Sequence, residues 1–365
     1  MIFRSTISNL TWTGILTLAL QAVCVTTYAQ DQFADGEVDS PAPLFPLDAA
    51  TYNFGDTVPS VLDSTGLAAG PPDWNEAIGP GGFASCCGDC PPGWRVRAEG
   101  LLLTRENSRV TYSNAFGLGG LGSQEGSRIS LIRHLDCLDA WEVTYIGPYS
   151  WEESGQVAGV GLSSRLNSAT LNLSEFNNAT LHTQNYRSEL NSVEFNRRWF
   201  GWNVISTFAG FRYLNLAEDF SFQSTGAAGT GTLAVETNNH LFGPQIGMEL
   251  MYPVGSWMTT TSMKGGMFAN VIDGNALLIN NGALQFANSD DDIEFAANLE
   301  FGYGVSFQVT PRIKIRGGYE FWWLYGLALA PDQVSSVLTA QSGSKVQNTS
   351  STYYHGATAG VEVEW

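Results

Sequence analysis

Cysteines are the residues of this chain most able to form a defined chemical site. Outside the first 29 residues the cysteines are Cys86, Cys87, Cys90 and Cys137. In an oxidising compartment, four cysteines predict disulfide bonds. The alternative is a structural zinc site, because Cys87-x-x-Cys90 and His134-x-x-Cys137 have the ligand types and spacing of one. We favour the disulfides and therefore predict no bound metal.

The other patterns that could serve catalysis or cofactor binding are weak. The four histidines are spread along the chain, and no G-x-S-x-G motif marks a nucleophile. Gly117-x-Gly119-x-x-Gly122 has the spacing of a dinucleotide fingerprint but lacks the strand and helix that should flank it. Asp290-Asp291-Asp292 could hold Ca²⁺, although a solvated loop end explains these residues as well. The sequence thus predicts no enzyme and no cofactor, with a Ser-His-acid hydrolase left as an alternative.

Charged residues recur at every second position of several apolar stretches. Lys314, Arg316 and Glu320, for example, alternate with aliphatic and aromatic residues between positions 313 and 325. Such alternation predicts strands with one apolar and one polar face, and it excludes an amphipathic helix. If the apolar face meets lipid, the charged face lines the lumen of a barrel. The predicted lumen residues are Arg95, Arg97, Glu99, Lys264, Glu294, Glu300, Lys314, Arg316, Glu320 and Glu362.

The elements that would position these residues are strands joined by alternately tight and long connections. Tight turns are predicted near Leu135–Leu138, Arg198–Gly201, Pro253–Gly255 and Thr310–Pro311, and long connections at 106–126, 150–183, 221–233, 276–290 and 328–351. The intervening strands are 94–105, 127–134, 139–149, 184–197, 201–220, 234–252, 256–275, 291–309, 312–327 and 352–365. Short turns on one side and long loops on the other are typical of bacterial outer-membrane barrels. We predict an all-β fold, a transmembrane antiparallel up-and-down barrel of about ten strands, with eight to twelve possible because the second and fourth alternate poorly.

The amino-terminal part of the chain divides into two segments. Residues 1–29 carry Arg4, an apolar stretch and Thr27-Tyr28-Ala29, a pattern that predicts a cleaved secretory signal peptide. Residues 30–93 hold most of the prolines and no sustained periodicity, so we predict an extended periplasmic segment. The alternative is a plug inside the lumen. The barrel would then occupy residues 94–365.

The composition agrees with an exported barrel. The net charge is −18 with three lysines, which disfavours nucleic-acid binding. Forty glycines and 20 Phe, 13 Tyr and 11 Trp favour strands and turns. Aromatic rings prefer the lipid headgroup level, and we predict two such girdles. Their predicted members are Trp199, Trp202, Trp257, Trp322, Trp323 and Trp365.

The last strand predicts how the barrel is closed and assembled. Val361–Trp365 alternates and stops at an aromatic residue, as expected for a barrel strand that pairs with the first. We therefore expect outer-membrane lipid and, through this strand, the barrel-assembly machinery as partners.

Several segments resemble the beta-barrel porin-7 family of bacterial outer-membrane proteins. The matching residues are Gly210–Tyr213, Asn239–Gly247, Lys264–Asn270, Arg316–Gln333 and His355–Ala357 with Trp365, and the first strand also fits. The resemblance covers roughly residues 94–365. It implies an outer-membrane β-barrel with a porin role, and it supplies no catalytic residues.

The sequence leaves two main hypotheses for function. The first is a porin through which small hydrophilic solutes diffuse along a charge-lined lumen. The second is a closed, non-conducting barrel that displays its long outer loops for structural or adhesive contacts. Ten strands favour a narrow or plugged lumen, since open channels are usual at 16 or more. A lumen filled by Arg–Glu pairs would favour the second hypothesis.

Overall fold

The chain folds into ten long antiparallel strands. A computed structural model describes residues 93–106, 110–202, 204–227 and 229–365. The predicted signal peptide and nearly all of the proline-rich segment lie outside these residues. The strands are β1 (Trp94–Glu106), β2 (Ser123–His134), β3 (Asp139–Ser163), β4 (Asn177–Trp202), β5 (Ile205–Thr225), β6 (Thr230–Val254), β7 (Trp257–Asn280), β8 (Ala283–Thr310), β9 (Ile313–Leu327) and β10 (Ser350–Glu364).

The strands close into a barrel in which each pairs with its neighbours in sequence and β10 returns to β1. Arg95 stands opposite Glu364 at one end of this seam, and Glu106 stands opposite Tyr353 at the other. Trp94 and Trp365 exchange two backbone hydrogen bonds of 2.9 and 3.0 Å. The predicted all-β, ten-stranded, up-and-down barrel is therefore confirmed. Within the described residues, no helix is long and apolar enough to cross a membrane.

The two ends of the barrel differ. At the end that holds Trp94 and Trp365, the connections are tight, and we call it the turn end. The opposite end, the loop end, carries the connections 107–122, 164–176 and 328–349 together with short 3₁₀ turns at Ser174–Phe176 and Ala330–Asp332. The predicted tight turn at Leu135–Leu138 is confirmed, whereas the one at Arg198–Gly201 is wrong because β4 continues through Trp202.

Three of the predicted long connections are largely strand instead. Within 150–183, β3 runs to Ser163 and β4 begins at Asn177. The chain over 221–233 and 276–290 continues the ladders of β5–β6 and β7–β8 almost to their tips. Phe222 and Leu233 still point inward in these extensions and are fully buried. The β7–β8 hairpin closes on Asn281 and Gly282, which have φ of 52° and 75°. Asn-Gly is the usual pair for such a two-residue turn, so the sequence carried a signal that favoured the hairpin.

The loop-end half of the barrel is filled by a large apolar cluster. Its inward-facing members include Leu103, Trp151, Phe220 and Trp322. The β1–β2 loop closes over it through Tyr112, whose ring stacks on Phe220 at 4.9 Å. The Tyr112 hydroxyl donates to the backbone oxygens of Pro331 and Val334, at 2.9 and 3.0 Å. Burial, together with the Asp332 carboxylate, raises the pKa of Tyr112, which keeps the hydroxyl a donor.

The outer surface is apolar around the turn-end half. On β6, Phe242, Ile246, Leu250 and Tyr252 point outward and are each 42% exposed or more. Water would not favour such a continuous band of exposed apolar side chains, but lipid would. Phe242–Tyr252 is about eleven residues long, which matches the length of a tilted strand crossing a bilayer.

The predicted girdle tryptophans do not all lie on the outer surface. Trp199, Trp257 and Trp365 are 39%, 47% and 60% exposed. Trp323 is half-buried and stacks on Tyr353, and the side chain of Trp202 lies outside the described part. Trp322 was predicted wrongly: it is 1% exposed and belongs to the inner cluster. Adjacent strand residues point to opposite faces, so Trp322 and Trp323 could not both reach lipid.

Candidate functional site

A layer of charged side chains crosses the lumen in the turn-end half of the barrel. It forms because the polar face of each alternating strand points inward, where no lipid can be met. On β4, Glu194, Asn196 and Arg198 point inward and are buried, while Val193 and Phe195 point outward and are exposed. We call this set of inward charges the charged layer.

One part of the charged layer joins the first and last strands. Glu362 on β10 is contacted by Arg95, Arg97, Lys314 and Arg316, at 3.2 to 3.5 Å. Four cations around one carboxylate bring together strands β1, β9 and β10. This part therefore stabilises the seam where the first and last strands pair.

Arg316 and Arg128 extend the same network through Glu99. Arg316 approaches one carboxylate oxygen of Glu99 at 2.9 Å, and Arg128 approaches the other at 3.2 Å. Arg128 also makes a bidentate contact with Glu320, with two hydrogen bonds of 2.6 Å. Because Arg128 lies on β2 and Glu320 on β9, this pair reaches past two intervening strands.

A second part of the charged layer crosses the lumen from the opposite wall. Lys264 on β7 contacts Glu194 on β4 at 2.7 Å and Glu300 on β8 at 2.8 Å. Arg212 on β5 also pairs with both Glu194 and Glu300. Its side chain is fully buried. Two cations and two carboxylates thus alternate around a closed ring, an arrangement in which each charge is compensated.

Arg198 completes the layer between these two parts. It pairs with Glu142 at 2.9 Å and with Glu249 at 2.7 Å. Its guanidinium also lies 4.9 Å from the centre of the Phe208 ring. Buried charges are tolerated when they are paired and hydrogen-bonded, as these are.

Above the charged layer, one further ion pair crosses the apolar cluster. Arg105 on β1 contacts Glu218 on β5 at 2.5 Å, and both side chains are 0% exposed. Tyr186 donates to Glu218 at 2.9 Å and accepts from Arg105 at 3.1 Å. Thr352 accepts another hydrogen bond from Arg105 at 3.2 Å. This pair fastens opposite walls of the barrel at the level of the aromatic residues.

The space left between the charged side chains is small. A cavity of about 80 Å³ lies among Arg97, Arg128, Arg198, Glu249 and Lys264. A water molecule needs about 10–15 Å³ of such space, so the cavity holds several water molecules. The apolar cluster with Trp151 and Trp322 lies between it and the loop end.

Nine of the ten predicted lumen residues take part in the charged layer. The exception is Glu294, which is exposed and has no ion pair among the described residues. Eight further charged residues of the lumen were missed, namely Arg105, Arg128, Glu142, Glu194, Arg198, Arg212, Glu218 and Glu249. Glu194, Arg212 and Glu218 lie within the predicted strands 184–197 and 201–220, so alternation carried the signal for them, but their inward face was not assigned.

The predicted cysteine site lies mainly outside the described residues. Cys137, in the turn between β2 and β3, is disulfide-bonded. It is the one cysteine after position 90, so its partner lies outside the described part of the chain. Pairing with Cys86, Cys87 or Cys90 stays a prediction. Across residues 93–365 as described, no cluster of three or more His, Cys, Asp or Glu could hold a metal ion.

One serine–histidine contact bears on the hydrolase alternative. Ser113 Oγ lies 2.8 Å from Nδ1 of His182. Both residues are 0% exposed, and Nε2 of His182 has no hydrogen-bond partner among the described residues. The Phe222 ring and the imidazole pack edge to face, with their centroids 5.1 Å apart. No described carboxylate orients the histidine, and both side chains are buried, so the contact packs within the loop-end cluster as described.

The fold and the lumen define the class: a closed ten-stranded β-barrel with an apolar belt outside and paired charges inside. No family model matches the chain, so the resemblance to the porin-7 family stays a prediction. No curated protein matches either. Among solved structures, the chain is similar to the outer membrane protease OmpT from Escherichia coli, with a TM-score of 0.41 and 10% identity over 77% of this chain and 99% of that chain.

Two further similarities are weaker. The Pseudomonas putida toluene transporter TodX gives a TM-score of 0.31 and 9% identity over 80% of this chain and 93% of its own. A Pseudomonas aeruginosa FadL homologue gives 0.28 and 8% over 75% and 89%. Likeness at this level transfers neither a substrate nor an activity.

Proposed function

We propose that this protein is an outer-membrane β-barrel with a closed lumen, which serves as a rigid scaffold for the surface that its loop end presents outside the cell. The outward apolar belt supports the membrane location, since it matches the thickness of a bilayer on β6. The location also accords with the predicted signal peptide. In this orientation the turn end faces the periplasm.

The observation that carries the closed lumen is that two successive layers fill its cross-section. The charged layer pairs its carboxylates with Arg and Lys from several walls, as in the ring of Glu194, Arg212, Lys264 and Glu300. The apolar cluster then occupies the loop-end half, with Trp151 and Trp322 fully buried. A hydrated solute would have to separate buried ion pairs and then cross an apolar layer.

The porin hypothesis needs a continuous water path, and the same two layers weigh against it. Paired charges can set selectivity only where water reaches them. The cavity of about 80 Å³ is too small to form such a path. We therefore prefer the non-conducting alternative.

The barrel's partners in this proposal are lipid and the assembly machinery. Lipid would surround exposed residues such as Ile246 and Tyr303, which are 68% and 57% exposed. Recognition of β10 by the barrel-assembly machinery is part of the proposal, because β10 is the strand that must find β1 to close the wall.

Single-channel recording tests the closed lumen. Residues 30–365 would be refolded, checked for the β-sheet signal in circular dichroism, and inserted into planar bilayers. We expect no discrete current steps at 1 M KCl. Steps that recur in independent preparations of the folded protein would overturn the proposal and restore the porin hypothesis.

A variant that opens both layers provides the positive control. Lys264→Ala and Arg212→Ala remove both cations of the charged ring, and Trp322→Ala removes a large side chain from the apolar layer. The triple variant should show current steps if it folds. Parallel recording from the single variant Trp257→Ala, whose side chain points outward, controls for a general effect of replacing a large residue.

A further inference from the structure

At the loop end of the barrel, one edge of β3 has no neighbouring strand. β2 and β3 pair from Arg128–Ile146 to His134–Ala140 and no further. Beyond this point β2 pairs with β1 alone, up to Ser123 opposite Thr104. β3 continues to Ser163 and pairs with β4 alone. The wall therefore separates between β2 and β3 above the apolar belt.

The separation is built into the fold around Gly147. This residue has φ of +129°, a conformation that favours glycine, and the register of β3 against β4 shifts between Ile146 and Tyr149. The Ser127 hydroxyl donates to the Gly147 oxygen at 2.7 Å, at the point where the separation begins. On the inner side, the Tyr149 ring lies against Gly126 and stacks on Trp151. The gap is thus closed from within by aromatic rings and leaves the backbone edge facing outward.

From Tyr149 to Ala158, β3 pairs regularly with β4 and has a free opposite edge. Within the described chain, no backbone hydrogen bond joins these ten residues to anything but β4. In a strand paired on one side, every second residue directs its N–H and C=O to the other side. The β1–β2 loop packs beside β3 at Gly155, where Phe116 and Leu118 lie against the backbone. Its backbone hydrogen bond to the strand is at the tip, where Asn114 N–H donates to the Ser163 oxygen.

A comparison within the same barrel makes this edge unusual. β8 also extends past its neighbour, since its pairing with β9 stops at Ala297. There the 328–349 loop covers the edge: Asn288 donates to the oxygens of Ala340 and Ser342, and the Val346 N–H donates to Asp290. Exposed edges are normally protected by such covers, by charged side chains (especially Lys), by Pro or by β-bulges. β3 has Glu152 and register shifts at both ends of the stretch, but no such cover by hydrogen bonds from a loop among the described residues. The Tyr149–Ala158 stretch contains neither Lys nor Pro.

Two exposed acidic side chains flank the edge, and Arg187 on β4 stands opposite one of them, Glu152. Glu125 on β2 and Glu152 on β3 point outward on the two sides of the separation and are exposed. Neither has an ion pair among the described residues. An extended partner strand with Lys or Arg at alternate positions would place its cations beside both carboxylates, because side chains alternate along a strand.

We propose that the free edge of β3, residues Tyr149–Ala158, binds an extended basic segment of another polypeptide by β-strand addition. Backbone hydrogen bonds to the edge would supply affinity, and Glu125 and Glu152 would select cationic residues on the outer face. This inference rests on the proposed scaffold function, to which it adds a defined binding surface.

A designed peptide tests the proposal. The probe is a fluorescently labelled eight-residue peptide of alternating lysine and valine, titrated into the full chain in detergent micelles and followed by anisotropy. Two further peptides carry N-methyl groups on all lysines or on all valines, which removes the donors of one edge at a time. We expect saturable binding of the parent and at least a tenfold loss with one of the methylated peptides. Equal binding of all three, or none at millimolar concentration, would overturn the proposal.

Charge-reversed variants locate the binding. Glu125→Lys with Glu152→Lys should weaken the parent peptide at least fivefold. The matched control is Asp219→Lys with Glu236→Lys, because these exposed acids face each other on the fully paired strands β5 and β6. The control pair should change the affinity by less than twofold. An equal loss with both pairs of substitutions would mean that the peptide responds to net charge and not to the β3 edge, and would overturn the proposed site. The peptide titration and the channel recording can fail independently. Current steps would overturn the proposed scaffold role but not the proposed peptide binding. Absence of peptide binding would leave the proposal of a closed lumen unaffected.

Discussion

Arg105 on β1 and Glu218 on β5 meet at 2.5 Å across the interior of the barrel, with three strands between them along the wall. Both side chains are fully buried, and Tyr186 bonds to both. A pair of this kind cannot coexist with an open channel at the same level. The pair also fixes the distance between opposite walls of the barrel. In a barrel with an empty lumen, only the hydrogen bonding of the sheet would set that distance.

Removing one partner of this pair should cost more than removing both. Arg105→Met leaves the Glu218 carboxylate buried without its cation, and breaking such pairs costs about 3–5 kcal/mol. Arg105→Met with Glu218→Leu removes the unpaired charge and should recover part of that loss. Urea unfolding in detergent, followed by tryptophan fluorescence, gives the three stabilities. Additive losses in the double variant would mean that the two residues do not interact.

The ring of Lys264, Arg212, Glu194 and Glu300 yields a second prediction. Lys264→Met leaves one cation for two buried carboxylates, so the barrel should unfold at lower urea concentration. Lys314→Met is the matched control, because Lys314 is 27% exposed and its neighbour Glu362 keeps three arginines. The control should shift the midpoint much less. A larger shift for Lys314→Met would show that the burial of the lysine does not determine how much its removal destabilises the barrel.

The number of strands could be predicted from sequence, but their length could not. Alternation of apolar and charged residues is strong where one face meets lipid. There the prediction of 312–327 agrees with β9, and the prediction of 291–309 recovers the turn-end part of β8 but not its first eight residues. At the loop end the outward face meets water and the inward face meets other side chains. There, buried apolar residues alternate with exposed polar ones, as with Phe222 and Gln223. Criteria chosen for a lipid-facing strand therefore predicted a connection over 221–233.

The lumen network was harder to predict for a related reason. Sequence alternation places a charge on the inner face, but it does not show which wall the partner occupies. Arg128 and Glu320 lie 192 positions apart and meet because the barrel brings β2 and β9 close. That contact depends on closure and shear, which set which residues share a level.

The β7–β8 hairpin provides a third prediction. Gly282 has φ of +75°, and nothing lies near the position of an added Cβ. Gly282→Val should therefore destabilise the turn through its backbone conformation alone, by about 1 kcal/mol. Asn281→Gly is the control, since glycine accepts the φ of 52° at that position. Limited proteolysis of the hairpin should cut Gly282→Val faster and leave the control near the parent rate. Equal rates would indicate that the turn does not depend on this conformation.

The disulfide of Cys137 gives a fourth prediction. Its partner should be one of Cys86, Cys87 and Cys90, which would link the segment before β1 to the β2–β3 turn. Non-reducing peptide mapping by mass spectrometry should recover a peptide that joins Cys137 to that group. A protein that takes up one equivalent of zinc and yields no linked peptide would support the zinc alternative.

Trp322 and Trp257 test whether the inner aromatic cluster stabilises the barrel. Trp322 is 1% exposed, and its indole N–H donates to Glu320 at 3.0 Å. Arg128 lies over its ring at 5.9 Å, so the side chain connects the apolar cluster to the charged layer. Trp322→Ala should cost about 3–5 kcal/mol, as for large residues removed from packed cores. Trp257→Ala, on the outer surface, should cost far less in the same urea titration. Similar losses would mean that the lumen is not packed as a core, and the closed-barrel proposal would lose its main support.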